Sequence, residues 1–548
     1  MKRSLFALLM GLAFLQAVGQ NNSLWQTGLQ RPKLVVGIVI DQMRWDYLYR
    51  YYDRYLPNGG FKRLLSGGFS CENTLIPYVP TVTACGHTSI YTGTVPAING
   101  ITGNEWWDYG LNRVVYCTGD TTTKTIGGTT KEGQMSPRNL LVTTIGDELR
   151  LATNFRSKVI GIALKDRAAI LPAGHTANGS YWYEEATGNW ITSSYYLSAL
   201  PKWVQDFNAK KLPDQYFAKD WNTLFPLDTY VQSTPDVEPF EHKAFGRDVK
   251  GFPYSLKPYI GKNYNMISVT PYGASLTLDM ARAAIEGENL GANTVTDMLT
   301  ISISSTDYIG HNFGPNSVEQ EDDFLRLDKD LGSFLDYLDA KIGKGNYLVF
   351  LTADHGVAHI PYFADQHNIP AGYAITEMYN LGLSELLKAK FGSEKLLIDN
   401  SGYQVHLDHD LIQKMHLKKD SVEKAVIDYL LAQPAVYTAF PLDKTSTITL
   451  NETIKRDVIN GYFPQRSGDI GIIYKPQWIE NFQAGGTTHG AWNPYDAHIP
   501  LIWYGWKVQP GHSNQEVYMT DIAPTIAAML HIQAPNGSIG HVIKEVAP

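Results

Sequence analysis

Three aspartates in this chain each follow a short, unbroken apolar run. Leu34 to Ile40 leads into Asp41, Met298 to Ser304 leads to Asp307, and Tyr347 to Thr352 leads to Asp354. Histidines accompany them: His311 lies four residues after Asp307, His355 is next to Asp354, and His489 sits in the loop Gly485-Gly486-Thr487-Thr488-His489-Gly490. Carboxylates gathered at one place repel one another, and a divalent cation removes that cost. Asp and His together suit zinc. Six such ligands exceed what one tetrahedral ion takes and suit two ions with three protein ligands each. Each residue alone has a plainer reading, because an Asp after a strand is most often a helix cap or turn former. The joint pattern favours metal. By contrast, His406-Leu407-Asp408-His409-Asp410 reads as structural: Val405 and Leu407 alternate as in a strand, and Asp408 or Asp410 can cap the next segment. His359 and His498 read as ordinary hydrogen-bonded histidines.

A second set of residues suits phosphate. Pro80-Thr81-Val82-Thr83 leads into a short helical pattern, Ala84 to Thr92, closed by Gly93. Thr83 at that start aims its hydroxyl and the first backbone N–H groups toward one point, where an anion can dock. A bound metal makes a Thr hydroxyl a competent nucleophile; the plainer reading is an N-cap. Lys165-Asp166-Arg167 follows the apolar run Val159 to Leu164. Lys165 and Arg167, two apart on an extended segment, point the same way and can clamp phosphate oxygens. Asn104, in Gly103-Asn104-Glu105-Trp106-Trp107, can donate an amide hydrogen to the same group. Alternatives are a surface ion pair with Asp166 and a turn asparagine.

These residues need a scaffold that brings distant segments together. The runs at 34–40, 159–164, 298–304, 347–352 and 499–504 are unbroken rather than alternating, which predicts strands covered on both faces. Helical patterns lie between them. One is predicted to start at Ser136-Pro137 and to carry Leu141, Ile145, Leu149 and Ala152. A second starts near Ser275, a third places Phe324, Leu327, Leu331, Phe334, Leu335 and Leu338 on one stripe, and a fourth is capped by Asp521. Strands alternating with helices give an α/β core with a mostly parallel sheet. In such a sheet ligands bind beyond the carboxyl ends of the strands, which is where the aspartates fall. Residues 170–265 and 365–482 break the rhythm and are read as inserted caps. The second of these mixes a helix, Ser421 to Leu431, with strand-like pieces such as Ile470 to Tyr474.

Composition agrees with this outline. The 548 residues are 44% hydrophobic and 18% charged, which excludes a disordered, collagen-like or coiled-coil protein. The net charge of −8, without a basic run, argues against nucleic acid as a partner. Lys2 and Arg3, the apolar stretch Leu5 to Leu15 and Ala17-Val18-Gly19 read as a signal peptide over residues 1–19. The mature chain, 20–548, is expected to be periplasmic or secreted, without a stable membrane anchor, and monomeric. Cys71, Cys85 and Cys117 allow at most one internal disulfide, and the sequence does not say whether any two pair.

Taken together, these pieces resemble the alkaline phosphatase superfamily, most closely its phosphate-irrepressible (PafA-type) bacterial enzymes and more distantly the nucleotide pyrophosphatase/phosphodiesterases. The matching pieces are Val39-Ile40-Asp41, Pro80 to Thr83 through His87, Gly103-Asn104, Leu164 to Arg167, Asp307 with His311, Thr352-Ala353-Asp354-His355-Gly356, Thr488-His489-Gly490 and Asp521-Ile522-Ala523-Pro524-Thr525. They span almost the whole mature chain in the family's order. The resemblance implies an alkaline-phosphatase-like core and two zinc sites, one of Asp307, His311 and His489, the other of Asp41, Asp354 and His355 with Thr83. It implies hydrolysis of small phosphate monoesters through a phosphothreonine at Thr83. Lys165, Arg167 and Asn104 would stabilise the phosphoryl oxygens. The Lys165 and Arg167 charges favour a dianionic monoester over a diester, so a phosphodiesterase is the second reading. A sulfatase needs a Cys/Ser-x-Pro-x-Arg context that Cys85-Gly86-His87 does not offer. A secreted carbohydrate-binding protein, built on the Tyr- and Trp-rich cap, is the alternative from another class.

Overall fold

A computed structural model describes residues 29–246, 249, 251–481 and 484–547. The expected signal peptide lies outside the described residues. Five strands form the parallel block expected from the apolar runs. In spatial order they are Tyr347–Thr352, Leu34–Ile40, Asp297–Ile303, Val159–Ala163 and Gly179–Glu184. The first four are buried along their whole length, which explains why their sequences are unbroken apolar runs. Antiparallel strands complete both edges of the sheet. Leu501–Gly505 pairs with Tyr347–Thr352 and in turn with Phe69–Leu75. Asn189–Ser193 pairs with Gly179–Glu184. The expected strand at 499–504 is split at Pro500 into His498–Ile499 and Leu501–Gly505, because proline removes a ladder donor.

Register decides where the strands end. Val39 is level with both Ser302 and Thr352, and Ser302 is level with Ala163. The residues that follow these four strands therefore emerge at one rim. The helix Val318–Leu338 buries Phe324, Leu327, Leu331, Phe334, Leu335 and Leu338 as expected from their spacing.

Two helix starts and one cap differ from expectation. Ile145–Ala152 begins at Thr144, not Ser136, because Thr144 and Asp147 form a reciprocal capping box; Ser136 instead donates to Asp120. Tyr272–Glu288 begins three residues before Ser275, whose hydroxyl donates to Asp330. Asp521 does precede the helix Ile522–Leu530, but its carboxylate accepts from Tyr518 N and His541 N rather than from that helix.

The two insertions attach differently. Residues 179–193 of the first add strands to the central sheet, and Trp221 and Tyr254 farther along share the main core. Buried acids at the start of the helix Val318–Leu338 anchor it. Glu319 accepts from Tyr254, Glu321 from Ser233 at 2.7 Å, and Asp322 from Trp221 at 2.8 Å and Tyr230 at 2.6 Å. Acids also suit the positive end of a helix. The second insertion has its own antiparallel sheet, Leu397–Ser401, Gln404–Leu407, Ile470–Tyr474 and Val436–Pro441. It also has its own apolar core, with Leu383, Leu387, Val405, Val426 and Ile470. Asp408 caps the helix His409–Lys414 through Leu411 N, and His409 pairs with Asp469 at 2.7 Å, so that His/Asp run is structural as expected. His359 and His498 are likewise hydrogen-bonded, to Asn316 and to the Glu72 carbonyl. All three cysteines are buried and free.

Candidate active site

Asp41, Asp307 and Asp354 meet at the carboxyl-end rim of the parallel sheet. Asp41 follows its strand directly and Asp354 follows its strand after Ala353; both are fully buried. Asp307 lies in the first turn of the helix Ser305–Phe313, which starts two residues past its strand. That helix puts His311 on the same face four residues on, with Nε2 3.1 Å from Asp307 Oδ1. His355 Nε2 lies 3.5 Å from Asp41 Oδ1 and 3.4 Å from Asp354 Oδ2. The loop at 485–490 brings in His489, whose Nε2 is 3.7 Å from Asp307 Oδ1 and whose ring stacks on that of His355 at 3.5 Å.

The three imidazoles are held alike. Nδ1 of His311, His355 and His489 each lies 2.8–2.9 Å from a backbone carbonyl, of Thr487, Gly356 and Thr81 respectively. A carbonyl only accepts, so Nδ1 carries the proton and Nε2 faces the carboxylates. Burial holds His355 below the ordinary imidazole range, and burial with His355 and His311 nearby holds His489 well below it. Neutral His355 and His489 thus turn lone pairs toward carboxylate oxygens. His311 differs: burial lowers it, but Asp307 raises it further.

The carboxylates are equally unbalanced. Burial and the charge of Asp354 push Asp41 well above the usual carboxylate range. Asp307 goes the other way: burial acts to raise it, but His311 and Lys165 hold it well below. Asp354 is also held down, with His355 and His87 outweighing burial. Asp41 Oδ1, Asp354 Oδ2 and His355 Nε2 are buried without a hydrogen-bond partner. Lone pairs facing lone pairs, three carboxylates and orphaned acceptors together form a site that fits cations. Two donor groups are close enough to hold one. Asp307, His311 and His489 offer atoms within 4.8 Å of one another, and so do Asp41, Asp307 and His355. The first set matches the sequence expectation. In the second, Asp307 stands where Asp354 was expected, while Asp354 remains in contact with His355.

The phosphate-binding candidates surround this cluster. Thr83 is the first residue of the helix Thr83–Thr92, with Val82 as N-cap, so its hydroxyl is not used in capping. His87, one turn on, lies between the Thr83 carbonyl at 2.9 Å and Asp354 Oδ2 at 3.3 Å. The helix approaches so closely that a Cβ on Gly86 would stand 2.4 Å from the Asp354 carbonyl oxygen. Asn104 Oδ1 accepts from Ala84 N at 3.0 Å, which fixes the amide beside Thr83 and leaves its NH₂ to donate. That bond also consumes one of the helix N–H groups expected to face an anion.

Lys165 and Arg167 do not lie side by side. Lys165 is extended, but the helix Asp166–Ala173 begins at the next residue, so the two side chains take different partners. Lys165 Nζ sits between Asp41 Oδ2 at 2.7 Å and Asp307 Oδ2 at 2.6 Å. Burial lowers its pKa, but these two carboxylates raise it further, so the ammonium is retained. Arg167 Nη1 donates to the Tyr116 hydroxyl at 3.1 Å. The alternative ion pair between Arg167 and Asp166 does not form among the described residues: Asp166 accepts from Tyr116 and Thr118 instead.

Sequence reasoning missed Gln42, His87 and Tyr116. Gln42 donates to Asp307 Oδ1 at 2.6 Å and its N–H to Asp354 Oδ1 at 3.2 Å, from a left-handed backbone at φ +65°. A non-glycine residue held there marks a constrained site. Its only sequence signal was adjacency to Asp41. His87, four residues after Thr83, was visible as a helical i, i+4 partner; Tyr116 carried no signal.

Residues 35–496 match the family model described as type I phosphodiesterase/nucleotide pyrophosphatase. The chain is 53% identical over 528 residues to alkaline phosphatase PhoV of Synechococcus elongatus, covering 96% of this chain and 94% of the relative. It is also 53% identical over 522 residues to a Myroides odoratus protein named a calcium-transporting ATPase, covering 94% and 95%. No helix among the described residues is long and apolar enough to cross a membrane. The crystal structure of wild-type alkaline phosphatase PafA has a TM-score of 0.93 at 49% identity, covering 95% of this chain and all of that one.

Proposed function

This chain belongs to the type I phosphodiesterase/nucleotide pyrophosphatase family, within the alkaline phosphatase superfamily, and from that premise we propose a two-zinc enzyme that works through Thr83. It is an alkaline phosphatase, a phosphomonoesterase, with about half of its residues identical to such enzymes over nearly its whole length. The observation that carries the metal reading is the confrontation of imidazole Nε2 atoms with three buried carboxylates. Asp307, His311 and His489 would hold one ion; Asp41, Asp354 and His355 would hold the other, beside Thr83. Bound there, such ions supply Lewis-acid stabilisation of the attacking and leaving oxygens.

The chain's own residues do the rest. Thr83 attacks phosphorus as the ester oxygen departs in line, and water then releases phosphate from the phosphothreonine. Asn104 donates its NH₂ to a phosphoryl oxygen, its carbonyl being fixed by Ala84 N. Arg167 offers its remaining donors as a fork, and Lys165 adds a retained positive charge at the edge of the acid cluster. Three positive or amide donors favour a dianionic monoester. We read residues 20–548 as one exported, monomeric catalytic domain, with insertions at about 170–265 and 365–482 and a periplasmic or secreted destination.

Metal analysis of the purified protein, paired with rates on an aryl phosphate and a bis-aryl phosphate, tests this reading. Two zinc ions per chain and a faster monoester are expected. A faster diester would transfer the reading to a phosphodiesterase, and full activity without metal would end it.

A further inference from the structure

Arg167 is a cation at the site that makes no direct ion pair with a carboxylate among the described residues, although the Asp166 charge acts on it from one residue away. Its Nη1 donates to the Tyr116 hydroxyl at 3.1 Å, and its Nε is buried without a partner. The nearest candidate counter-ion is Asp166, its neighbour in sequence. That carboxylate is already engaged: Oδ1 accepts from the Tyr116 hydroxyl at 2.9 Å and Oδ2 from Thr118. Tyr116 therefore stands between the two charges, accepting from the guanidinium and donating to the carboxylate.

The phenol is itself held firmly. Tyr116 ends the antiparallel hairpin Glu105–Asp108 and Arg113–Tyr116, opposite Glu105. The Asn139 amide donates to the carbonyls of Tyr116 and Cys117 at 3.2 and 3.1 Å. Cys117 N donates to the Asn104 carbonyl at 2.9 Å. The open end of the same hairpin thus carries both Asn104 and the anchor of Arg167, one on each side. Burial, with Asp166 beside it, pushes the Tyr116 hydroxyl well above the usual phenol range, so the group stays neutral.

We propose that Tyr116 is a positioning residue for the phosphoryl clamp: a neutral spacer that aims Arg167 at the substrate and keeps Asp166 from pairing with it. The proposal rests on the reading of Arg167 as a phosphate donor. A carboxylate in the place of the phenol would orient the guanidinium equally well but would cancel the charge that a phosphoryl dianion needs. A phenol orients without cancelling. Losing it frees Arg167 to turn to Asp166 as an ordinary ion pair.

The test is a mutant cycle on the purified, metal-loaded full chain: wild type, Tyr116→Phe, Arg167→Ala and both together. It reads kcat and KM on an aryl phosphate and the inhibition constant of inorganic phosphate. Tyr116→Phe is expected to lower kcat/KM about 10-fold and to weaken phosphate inhibition, the usual scale for removing a supporting hydrogen bond. In the Arg167→Ala background the same change is expected to cost less than about 2-fold, because the coupled partner is gone. Tyr116→Phe combined with Asp166→Asn is expected to recover most of the loss, since the competing charge is removed. A loss from Tyr116→Phe that persists without Arg167 would make Tyr116 a hairpin support only and overturn the proposal. Wild-type kinetics in Tyr116→Phe would overturn it as well. No loss from Arg167→Ala itself would instead remove the clamp reading beneath it, and the proposal with it.

Discussion

The metal-fitting cluster and the phosphoryl clamp sit at one rim but carry opposite imbalances. The cluster holds Asp41, Asp307 and Asp354, with the Lys165 ammonium of the clamp reaching between two of them, and Asp41 Oδ1, Asp354 Oδ2 and His355 Nε2 have no hydrogen-bond partner. The clamp holds Arg167 on a neutral phenol and Asn104 on a backbone N–H, and its donors are left over. One region suits cations and the other suits an anion. Their supports differ too. The cluster is built on level ends of the central sheet, whereas the clamp takes Lys165 and Arg167 from the end of one of those strands but Asn104 and the Tyr116 anchor from a hairpin outside the sheet. Each region is preorganised for charge of one sign, and the folded core keeps the parts in place.

Removing the cations tests the first imbalance and should have the largest effect. Chelation is expected to cost at least about 10³-fold in activity, since metals supply several kcal/mol to such reactions. Zinc should restore activity better than magnesium; unaltered activity in metal-free protein would contradict the comparison. The second imbalance is tested by Lys165→Ala with Arg167→Ala. Its expected cost is about 10²–10³-fold on an aryl phosphate and about 10-fold on a bis-aryl phosphate, because a diester offers less charge to the clamp. Equal losses on both would break the distinction.

The smallest effect concerns the loop that carries His489. Asp496 accepts from Gly490 N and Ala491 N at 3.0 and 2.8 Å, and burial pushes its pKa up to about 8. A carboxyl raised in the folded state stays protonated there, so its contribution is full below the unfolded value. That contribution is lost as pH rises from about 4 to about 8. Asp496→Asn, uncharged at every pH, should therefore flatten the decline of Tm with pH across that window. An unchanged slope would show that Asp496 is already ionised in the folded protein.

The two regions were not equally legible in sequence. Strand-end aspartates are visible because a strand buried on both faces is an unbroken apolar run, and its end is marked by the first charged residue. That rule found Asp41, Asp307, Asp354 and the parallel sheet. Asp307 and His311 were readable as helical neighbours. The clamp was only half legible. Lys165 and Arg167 were found by type, but the expected extended spacing failed because the helix begins at Asp166. Tyr116 and Gln42 act through contacts 51 and 265 residues away in sequence, and no local pattern encodes such distances. The helix starts at Thr144 and Tyr272 were missed because Ser136 and Ser275 are equally good caps by type, and only tertiary partners decide among them. The independent core of the second insertion lay behind a broken rhythm that sequence could mark but not resolve.

The proposed nucleophile stands where the two regions adjoin, and identifying it tests the account most directly. Thr83 lies between the clamp and Asp354, while Thr81, two residues earlier, donates its hydroxyl to the Ala491 carbonyl at 2.9 Å. The decisive measurement is acid quenching of the metal-loaded protein during turnover of an aryl phosphate, followed by mass spectrometry of the peptide holding both threonines. The account predicts one phosphoryl group on Thr83 in the wild type and none in Thr83→Ala. A phosphoryl group on Thr81, or one that persists in Thr83→Ala, would contradict it.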